Sequence, residues 1–119
     1  MDSQIKKGLI DVCVLAVLSV NESYGYKIIK DVSDLVEVSE STLYPVLKRL
    51  QSNEQVTTFD VAHNGRLRKY YRITSKGIVR LLEAKEELNS VNLIINFINQ
   101  VTNNTIRSLK WKKKNLWFI

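Results

Sequence analysis

The chain has 119 residues, 45% hydrophobic and 25% charged, which is enough for one small soluble domain with one appended element. Its 18 lysines and arginines outweigh 12 acidic residues to give a formal net charge of +6, and its one cysteine excludes an internal disulfide. It has no apolar run of the roughly 20 residues that cross a bilayer, so we expect a cytoplasmic protein without a membrane partner.

Residues 9–18 predict a first helix that is apolar nearly all round. The preceding lysine pair faintly resembles a signal peptide, but Asp11 interrupts the apolar run and no small-residue cleavage pattern follows. A helix of this kind is covered on several sides, which in so short a chain favours burial against a partner chain. Cys13 lies within it, where a free cysteine is usually a small core residue.

Ser23 is expected to cap a second helix over residues 24–35. Gly25 at its start lowers helix propensity and indicates close backbone packing. The spacing predicts a buried stripe of Ile28, Ile29, Val32 and Leu35. Residues 36–38 predict a short extended link.

A third helix is predicted over residues 39–50, with the Ser39 side chain accepting a free backbone N–H of its first turn. Pro45 removes one backbone hydrogen bond and should bend this helix, either as a change tolerated near the N-terminus or as a fit to a groove. Four residues repeat at helical spacing and should face the core: Leu43, Val46, Leu47 and Leu50.

Residues 56–62 and 67–73 predict two strands, and Asn64-Gly65 between them is a strong hairpin signal. Strand alternation places Tyr70 on one face, with Arg68 and Arg72, and Tyr71 on the other. We expect Tyr70 to be exposed and Tyr71 to be a core residue. Residues 61–82 contain six basic residues and no acidic one, a pattern that attracts polyanions.

Thr74 or Ser75 is expected to cap a last helix of about 25–30 residues. A seam at three- and four-residue spacing predicts dimerisation, together with the first helix, rather than packing on its own domain alone: Leu81, Ala84, Leu88, Val91, Ile95 and Ile98. A second apolar stripe has Ile94, Phe97 and Val101. The end, residues 110–119, mixes lysines with tryptophan and suits either nucleic-acid or membrane-surface contact or a frayed, partner-packed terminus.

These elements predict a mostly α fold with a small β-hairpin: a winged helix-turn-helix over residues 1–74 and a dimerisation helix with a basic, aromatic tail over residues 75–119. The N-terminal end of the third helix would enter the major groove of double-stranded DNA. There Ser41, Thr42 and Tyr44 would read bases and Lys48 would contact phosphate, although Tyr44 equally suits a core ring with its hydroxyl at the surface. The hairpin would contribute Asn64, Arg66, Arg68, Lys69 and Tyr70.

Reactive groups are too few for an enzyme. The one histidine lies in the hairpin turn, and no zinc-protease, Cys-x-x-Cys, P-loop or dinucleotide-binding motif is present. We therefore expect no catalytic residue, no metal and no cofactor.

The chain resembles the PadR-type family of bacterial transcriptional regulators over roughly residues 8–77. The resemblance lies in the apolar first helix, in Tyr24-Gly25-Tyr26-Lys27-Ile28-Ile29, in the third helix from Ser39 to Leu50, and in Arg68-Lys69-Tyr70-Tyr71-Arg72-Ile73-Thr74-Ser75-Lys76-Gly77. It implies a homodimer that represses from a palindromic operator, with relief by a small-molecule effector in several members. It places DNA contacts at Ser39, Ser41, Thr42, Tyr44, Lys48, Arg66, Arg68 and Lys69.

The chain departs from that family pattern in two places. Many members have glycine after the third helix where this chain has Glu54, so Asn53 is expected to take the left-handed conformation. The last helix has Phe97 rather than a central tryptophan, which argues against a multidrug pocket. Its single C-terminal helix matches the shorter branch of the family.

The alternative function is a protein-interaction or membrane-surface module that uses the last apolar helix and the Lys/Trp tail. The two hypotheses differ in which charged residues matter for binding: those of the hairpin in a DNA regulator, and those of the tail in an interaction module. Truncation after Asn104 would abolish binding by such a module, and Arg68→Ala with Lys69→Ala would not affect it. In a DNA regulator the double mutant would lose operator affinity with a shallower salt slope, and the truncation would leave most of the affinity.

Overall fold

The computed structural model describes the backbone of residues 3–114 and the side chains of residues 5, 6 and 8–110. The chain divides into two units, Met1–Ala84 and Lys85–Ile119, with the boundary inside the last helix. In chain order the elements are α1 (Ser3–Val20), β1 (Ser23–Tyr24), α2 (Gly25–Ser33), α3 (Glu40–Ser52), β2 (Val56–His63), β3 (Arg66–Ile73) and α4 (Ser75–Lys114).

The core of the first unit lies between α1, α2, α3 and the inner face of the sheet. All four residues predicted for the apolar stripe of α3 are buried, which confirms the spacing argument. Burying such side chains stabilises the fold by about 1.5–3 kcal/mol each. The buried cluster consists of Ile10, Val14, Leu15, Leu18, Ile28, Val32, Val36, Leu43, Val46, Leu47, Leu50, Val56 and Tyr71.

The second helix is shorter than predicted at both ends. Tyr24, not Ser23, occupies the N-cap position, and it makes no side-chain capping bond. The helix ends at Ser33, after which the backbone N–H groups of Leu35 and Val36 both donate to the Val32 carbonyl. Because the helix ends before Leu35, the three- and four-residue spacing of the buried stripe does not extend to it. Leu35 is 65% exposed, and Val36 is buried in the core instead. The predicted burial of Leu35 is therefore wrong.

The sheet has three strands in the order β1-β3-β2, where the sequence predicted only two. The hairpin runs in register from Val56↔Ile73 to His63↔Arg66. Its turn has φ of 50° at Asn64 and 75° at Gly65, the pair of positive values that a tight Asn-Gly hairpin needs. The extra strand, β1, pairs Ser23 with Tyr71 and Tyr24 with Tyr70.

The junctions around α3 and α4 depend on two residues. Glu54 takes a left-handed conformation, with φ of 60°, whereas Asn53 has φ of −83°, so the prediction for Asn53 is wrong. The hydroxyl of Thr74 donates to the Glu54 carbonyl (2.6 Å) and accepts the Gly77 backbone N–H (3.1 Å). Thr74 thus caps α4, as one of the two predicted candidates, and joins its start to the end of the α3 loop.

The second unit consists of the remainder of α4. The helix reaches Lys114, well beyond the predicted length, and takes in the first residues of the predicted tail. The hydroxyls of Thr102 and Thr105 donate to the carbonyls of Ile98 and Val101, four residues earlier in the same helix. These bonds are compatible with a continuous helix, so the threonines do not end it. Side chains after Lys110 and all of residues 115–119 lie outside the described part of the chain.

Candidate nucleic-acid interface

The buried stripe of α3 determines which residues its outer face presents. Because the four apolar residues point inward, Ser41, Thr42, Tyr44 and Lys48 are all exposed. The side chain of Arg49 donates to both carboxylate oxygens of Asp11 in α1, at 2.5 and 3.3 Å. This two-point contact fixes the rotation of α3 about its own axis, so its polar face is held outward.

Three hydroxyl groups meet at the start of α3. The Oγ of Ser39 lies 2.9 Å from the Oγ of Ser41 and 3.1 Å from the Oγ1 of Thr42. The predicted side-chain cap is wrong, because Ser39 makes no side-chain capping bond. Its carbonyl instead accepts the backbone N–H groups of Thr42 and Leu43. The hydroxyl cluster is exposed, and each group can donate to or accept from a base edge or a phosphate oxygen.

Tyr44 joins α3 to α2. Its ring lies against the backbone of Gly25, while 48% of the residue is exposed. The close packing predicted at Gly25 is thereby confirmed, and its partner is Tyr44. The sequence left a base-reading role and a core ring with a surface hydroxyl open for Tyr44. The ring packs against Gly25 on one side and is exposed on the other, so a DNA contact by Tyr44 stays a prediction.

Aromatic rings and cations alternate on the outer face of the sheet. Tyr70 lies between Tyr24 and Phe59, with ring centroids 5.4 and 5.6 Å away. The guanidinium of Arg68 lies 4.0 Å from the centroid of the Tyr24 ring, and that of Arg72 lies 4.5 Å from the Phe59 centroid. Tyr70, predicted to be exposed, is therefore half-buried between its neighbours.

The last cation of this face also forms an ion pair. Arg72 donates to the carboxylate of Glu22 at 2.8 Å. We call the set Glu22, Tyr24, Phe59, Arg68, Tyr70 and Arg72 the sheet ladder. It joins the hairpin to β1, because members of the set come from all three strands and from the residue before β1. Its two arginines are held along the sheet, while Arg66 and Lys69 are exposed.

A recess of about 470 Å³ opens between the start of α2, α3 and β3. The Nζ of Lys69 lies 5.6 Å from the centroid of the Tyr71 ring. Burial, with a smaller contribution from the Tyr44 phenol, raises the pKa of Tyr71, so its hydroxyl stays protonated at neutral pH. The lining residues are Tyr24, Gly25, Tyr26, Tyr44, Arg68, Lys69 and Tyr71.

The sequence analysis assigned Tyr44, Arg68 and Lys69, which line this recess, to DNA contact. It gave no such role to Tyr24 and Tyr26, which line the recess too. The signal that could have found them is Tyr-Gly-Tyr at the start of α2. A glycine there allows a neighbouring ring to approach, and flanking tyrosines then lie beside it. A second recess, of about 430 Å³, lies at the hairpin tip beside His63, Asn64, Arg66, Leu67 and Arg68.

The predicted dimerisation residues fall into two groups. Ala84 is buried in the single chain, and Leu81 packs against the core of the first unit. In the second unit the other members of the seam are all exposed: Leu88, Val91, Ile95 and Ile98. These four, rather than the full set, are available to a partner.

The described residues contain neither a metal-binding cluster nor a membrane-spanning helix. Within the described residues, no three His, Cys, Asp or Glu side chains group as a metal site would require. Burial raises the pKa of Cys13, which keeps the thiol protonated and makes it a poor nucleophile. No helix in the described part of the chain combines the length and apolarity needed to cross a bilayer.

Comparison with known proteins gives a consistent result. Residues 14–83 match the family model described as the transcriptional regulator PadR-like family. An uncharacterised protein of Lysinibacillus sphaericus is 36% identical over 99 residues, covering 78% of this chain and 90% of that protein.

Solved structures agree with that match. A PadR-like transcriptional regulator from Bacillus cereus is 35% identical, with a TM-score of 0.74, covering 82% of this chain and 98% of its own. A PadR family transcription regulator from Clostridium difficile is 31% identical, with a TM-score of 0.68, covering 73% and 94%. Both likenesses extend over nearly the whole of the solved chain.

Proposed function

The chain belongs to the PadR-like family of transcriptional regulators, and from this premise we propose that it is a repressor that binds a palindromic operator as a homodimer. Membership in a family of regulators also confirms the prediction that the chain is not an enzyme. The winged helix-turn-helix predicted from the sequence is likewise confirmed by the fold and its relatives.

The observation that carries the proposal is the exposed polar face of α3. An α-helix of 10–12 Å diameter fits the major groove of B-DNA, and residues near its N-terminus reach the base edges. Here that end bears the hydroxyls of Ser39, Ser41 and Thr42, and Lys48, about two turns beyond Ser41, lies on the same exposed face. In this proposal Ser41 and Thr42 read bases, Lys48 contacts a phosphate, and Tyr44, held against Gly25, contacts the DNA backbone.

The hairpin supports the proposal through its charge. Arg66 and Lys69 are exposed, and Asn64 lies at the turn beside Arg66. Cations at such a position neutralise phosphates and add a salt-dependent, sequence-independent contribution to affinity. Tyr70, which belongs to the sheet ladder, would act mainly by holding the hairpin, and Arg68 would add a further cation beside it.

The second unit supports the homodimer. Its exposed apolar residues at three- and four-residue spacing form the seam of a coiled coil, and such a stripe is normally covered in solution. Two copies related by a two-fold axis would bring two α3 helices to successive major grooves, about 10 base pairs apart. A small effector would relieve repression if it bound one spacing of the two helices better than the other.

The experiment is a selection from random duplexes with the purified protein at about 100 mM salt, a concentration at which phosphate contacts still contribute. The bound sequences are then footprinted, and the stoichiometry of the complex is measured by light scattering. We expect an inverted repeat protected by two chains. A protein that enriches no sequence, or that binds a site without symmetry as one chain, would contradict the proposal. Binding to anionic vesicles in place of duplexes would favour the membrane-surface alternative.

A further inference from the structure

The recess between α2, α3 and β3 has the chemistry of an anion site. Arg68 and Lys69 supply two positive charges, and none of its lining residues is acidic. Asp60 is the residue opposite Lys69 on the neighbouring strand, but it does not line the recess. A phosphate that enters would therefore meet two cationic residues and several tyrosines, and no acidic residue of the lining.

The hydroxyl donors come from tyrosines held in fixed positions. Gly25 lacks the Cβ that would collide with the Tyr44 ring, so the Tyr44 hydroxyl reaches the wall of the recess. Tyr71 is buried, and Tyr26 is 65% exposed at the rim. Phenol O–H groups donate to phosphate oxygens, and hydrogen bonds to a charged acceptor are about twice as strong as neutral ones.

The position of the recess identifies the source of the anion. Tyr44 belongs both to the recess and to the exposed face of α3, so a group bound there lies beside whatever α3 contacts. A volume of about 470 Å³ holds a phosphate together with part of its sugar. If α3 enters a major groove, the nearest anion of that size is a phosphate in the wall of the groove.

We propose that this recess binds one backbone phosphate of the operator in each half-site, with Lys69 and Arg68 as the cations and Tyr44 and Tyr26 as hydrogen-bond donors. The inference rests on the proposed function and adds Tyr24, Gly25 and Tyr26 to the interface. Tyr24 contributes by positioning Arg68, whose guanidinium lies over its ring.

The test is a set of selected duplexes, each with one phosphate replaced by a neutral methylphosphonate. Wild-type protein should lose about tenfold affinity at one position per half-site, as expected when hydrogen bonds to a charged group are lost. In Tyr44→Phe with Lys69→Gln, the same replacement should cost only about threefold, because Arg68 and Tyr26 alone still contact the phosphate. Tyr44→Phe keeps the ring on Gly25, so the fold is preserved.

Lys30→Gln is the matched control, because it removes an exposed lysine of α2 that does not line the recess. It should keep the tenfold loss at the same position. Equal losses in the wild type and in the recess variant would overturn the inference while leaving DNA binding established. Failure of the wild type to bind any selected duplex would instead overturn the proposed function, and this inference with it.

Discussion

The Oη of Tyr44 lies 2.9 Å from the point where a Cβ at position 25 would stand, so the ring of Tyr44 occupies the space that Gly25 leaves open. One residue of α3, the helix proposed to contact DNA, is thereby positioned by the start of another helix. The position of the Tyr44 hydroxyl therefore depends on a residue that carries no side chain itself.

Gly25→Ala should separate stability from DNA affinity. The new methyl meets only the ring of Tyr44, a side chain that can swing outward. Because Gly25 is the first residue of α2, the gain in helix propensity is smaller than in a helix interior and offsets part of the cost, so the melting temperature should change little. Affinity for the selected duplex should fall several-fold, as measured by fluorescence anisotropy.

Gly77→Ala is the control with the opposite outcome. A Cβ there would collide with the backbone carbonyl of Gln55 and lie 2.7 Å from Cγ1 of Ile73. Neither can move freely, so the variant should lose about 1–3 kcal/mol in free energy of unfolding, as overpacked cores do. Similar losses of stability in both variants would show that Tyr44 cannot move away from position 25.

Glu54→Gly should stabilise the protein. Glu54 has φ of 60°, which costs an L-residue about 1–2 kcal/mol and costs glycine almost nothing. Part of the gain is offset by the greater freedom of glycine in the unfolded chain, which leaves about 0.5–1 kcal/mol by urea denaturation. Asn53→Gly, at a φ of −83°, should give no gain.

The salt dependence of DNA binding should distinguish the cations proposed to contact phosphate from Arg72, which forms an ion pair with Glu22. Arg66→Gln and Lys69→Gln should each lower the log–log slope of affinity against salt by about 0.9, the value for one phosphate contact. Arg72→Gln should leave the slope unchanged, because Arg72 is engaged with Phe59 and Glu22. Identical slopes for all three variants would refute the assignment.

The exposed seam of α4 should be sensitive to charge. Val91→Glu with Ile95→Glu places two carboxylates where a partner would bury them, so the protein should become monomeric at about 10 μM and lose at least tenfold in operator affinity. Asn92→Glu, between them in sequence but off the seam, should remain dimeric. Sedimentation velocity measures both, and a monomeric wild type would refute the dimer.

The free energy of unfolding should fall at alkaline pH because Tyr71 is buried. Its pKa is raised above the ordinary 10.0, so the unfolded state loses the proton first. Stability is therefore full below pH 10.0 and falls as the pH rises through the higher pKa of the folded state. Tyr71→Phe should flatten this fall relative to Tyr26→Phe, a change at an exposed tyrosine. Cys13, whose pKa is also raised, adds a fall of the same sign in both variants.

The parts of the fold that sequence predicted correctly depend on repeated signals. The stripe of α3 repeats over two turns, and Asn64-Gly65 has conformational requirements that few other turns share. The parts it missed are local or depend on tertiary contacts. A strand of two residues, Ser23 and Tyr24, shows no alternation, and its pairing with β3 exists only once the hairpin has folded.

The same limit applies to the candidate interface. Residue types alone assigned Tyr44, Arg68 and Lys69, which line one recess, to the same interface, because they lie in a predicted reader helix or on a basic hairpin. They could not show that Arg68 and Arg72 lie over aromatic rings, since these contacts join residues distant in sequence. Thr102 and Thr105 likewise do not break α4, because their hydroxyls bond within the helix.

The sheet ladder lowers the entropy cost of binding a duplex through the hairpin. A hairpin attached only by its ends would sample many orientations, and ordering it would subtract from the binding free energy. Here the six side chains of the sheet ladder join the hairpin to β1 and to Glu22, so most of that conformational entropy is lost during folding. Docking should then resemble the meeting of two rigid bodies, with little additional ordering of the hairpin base.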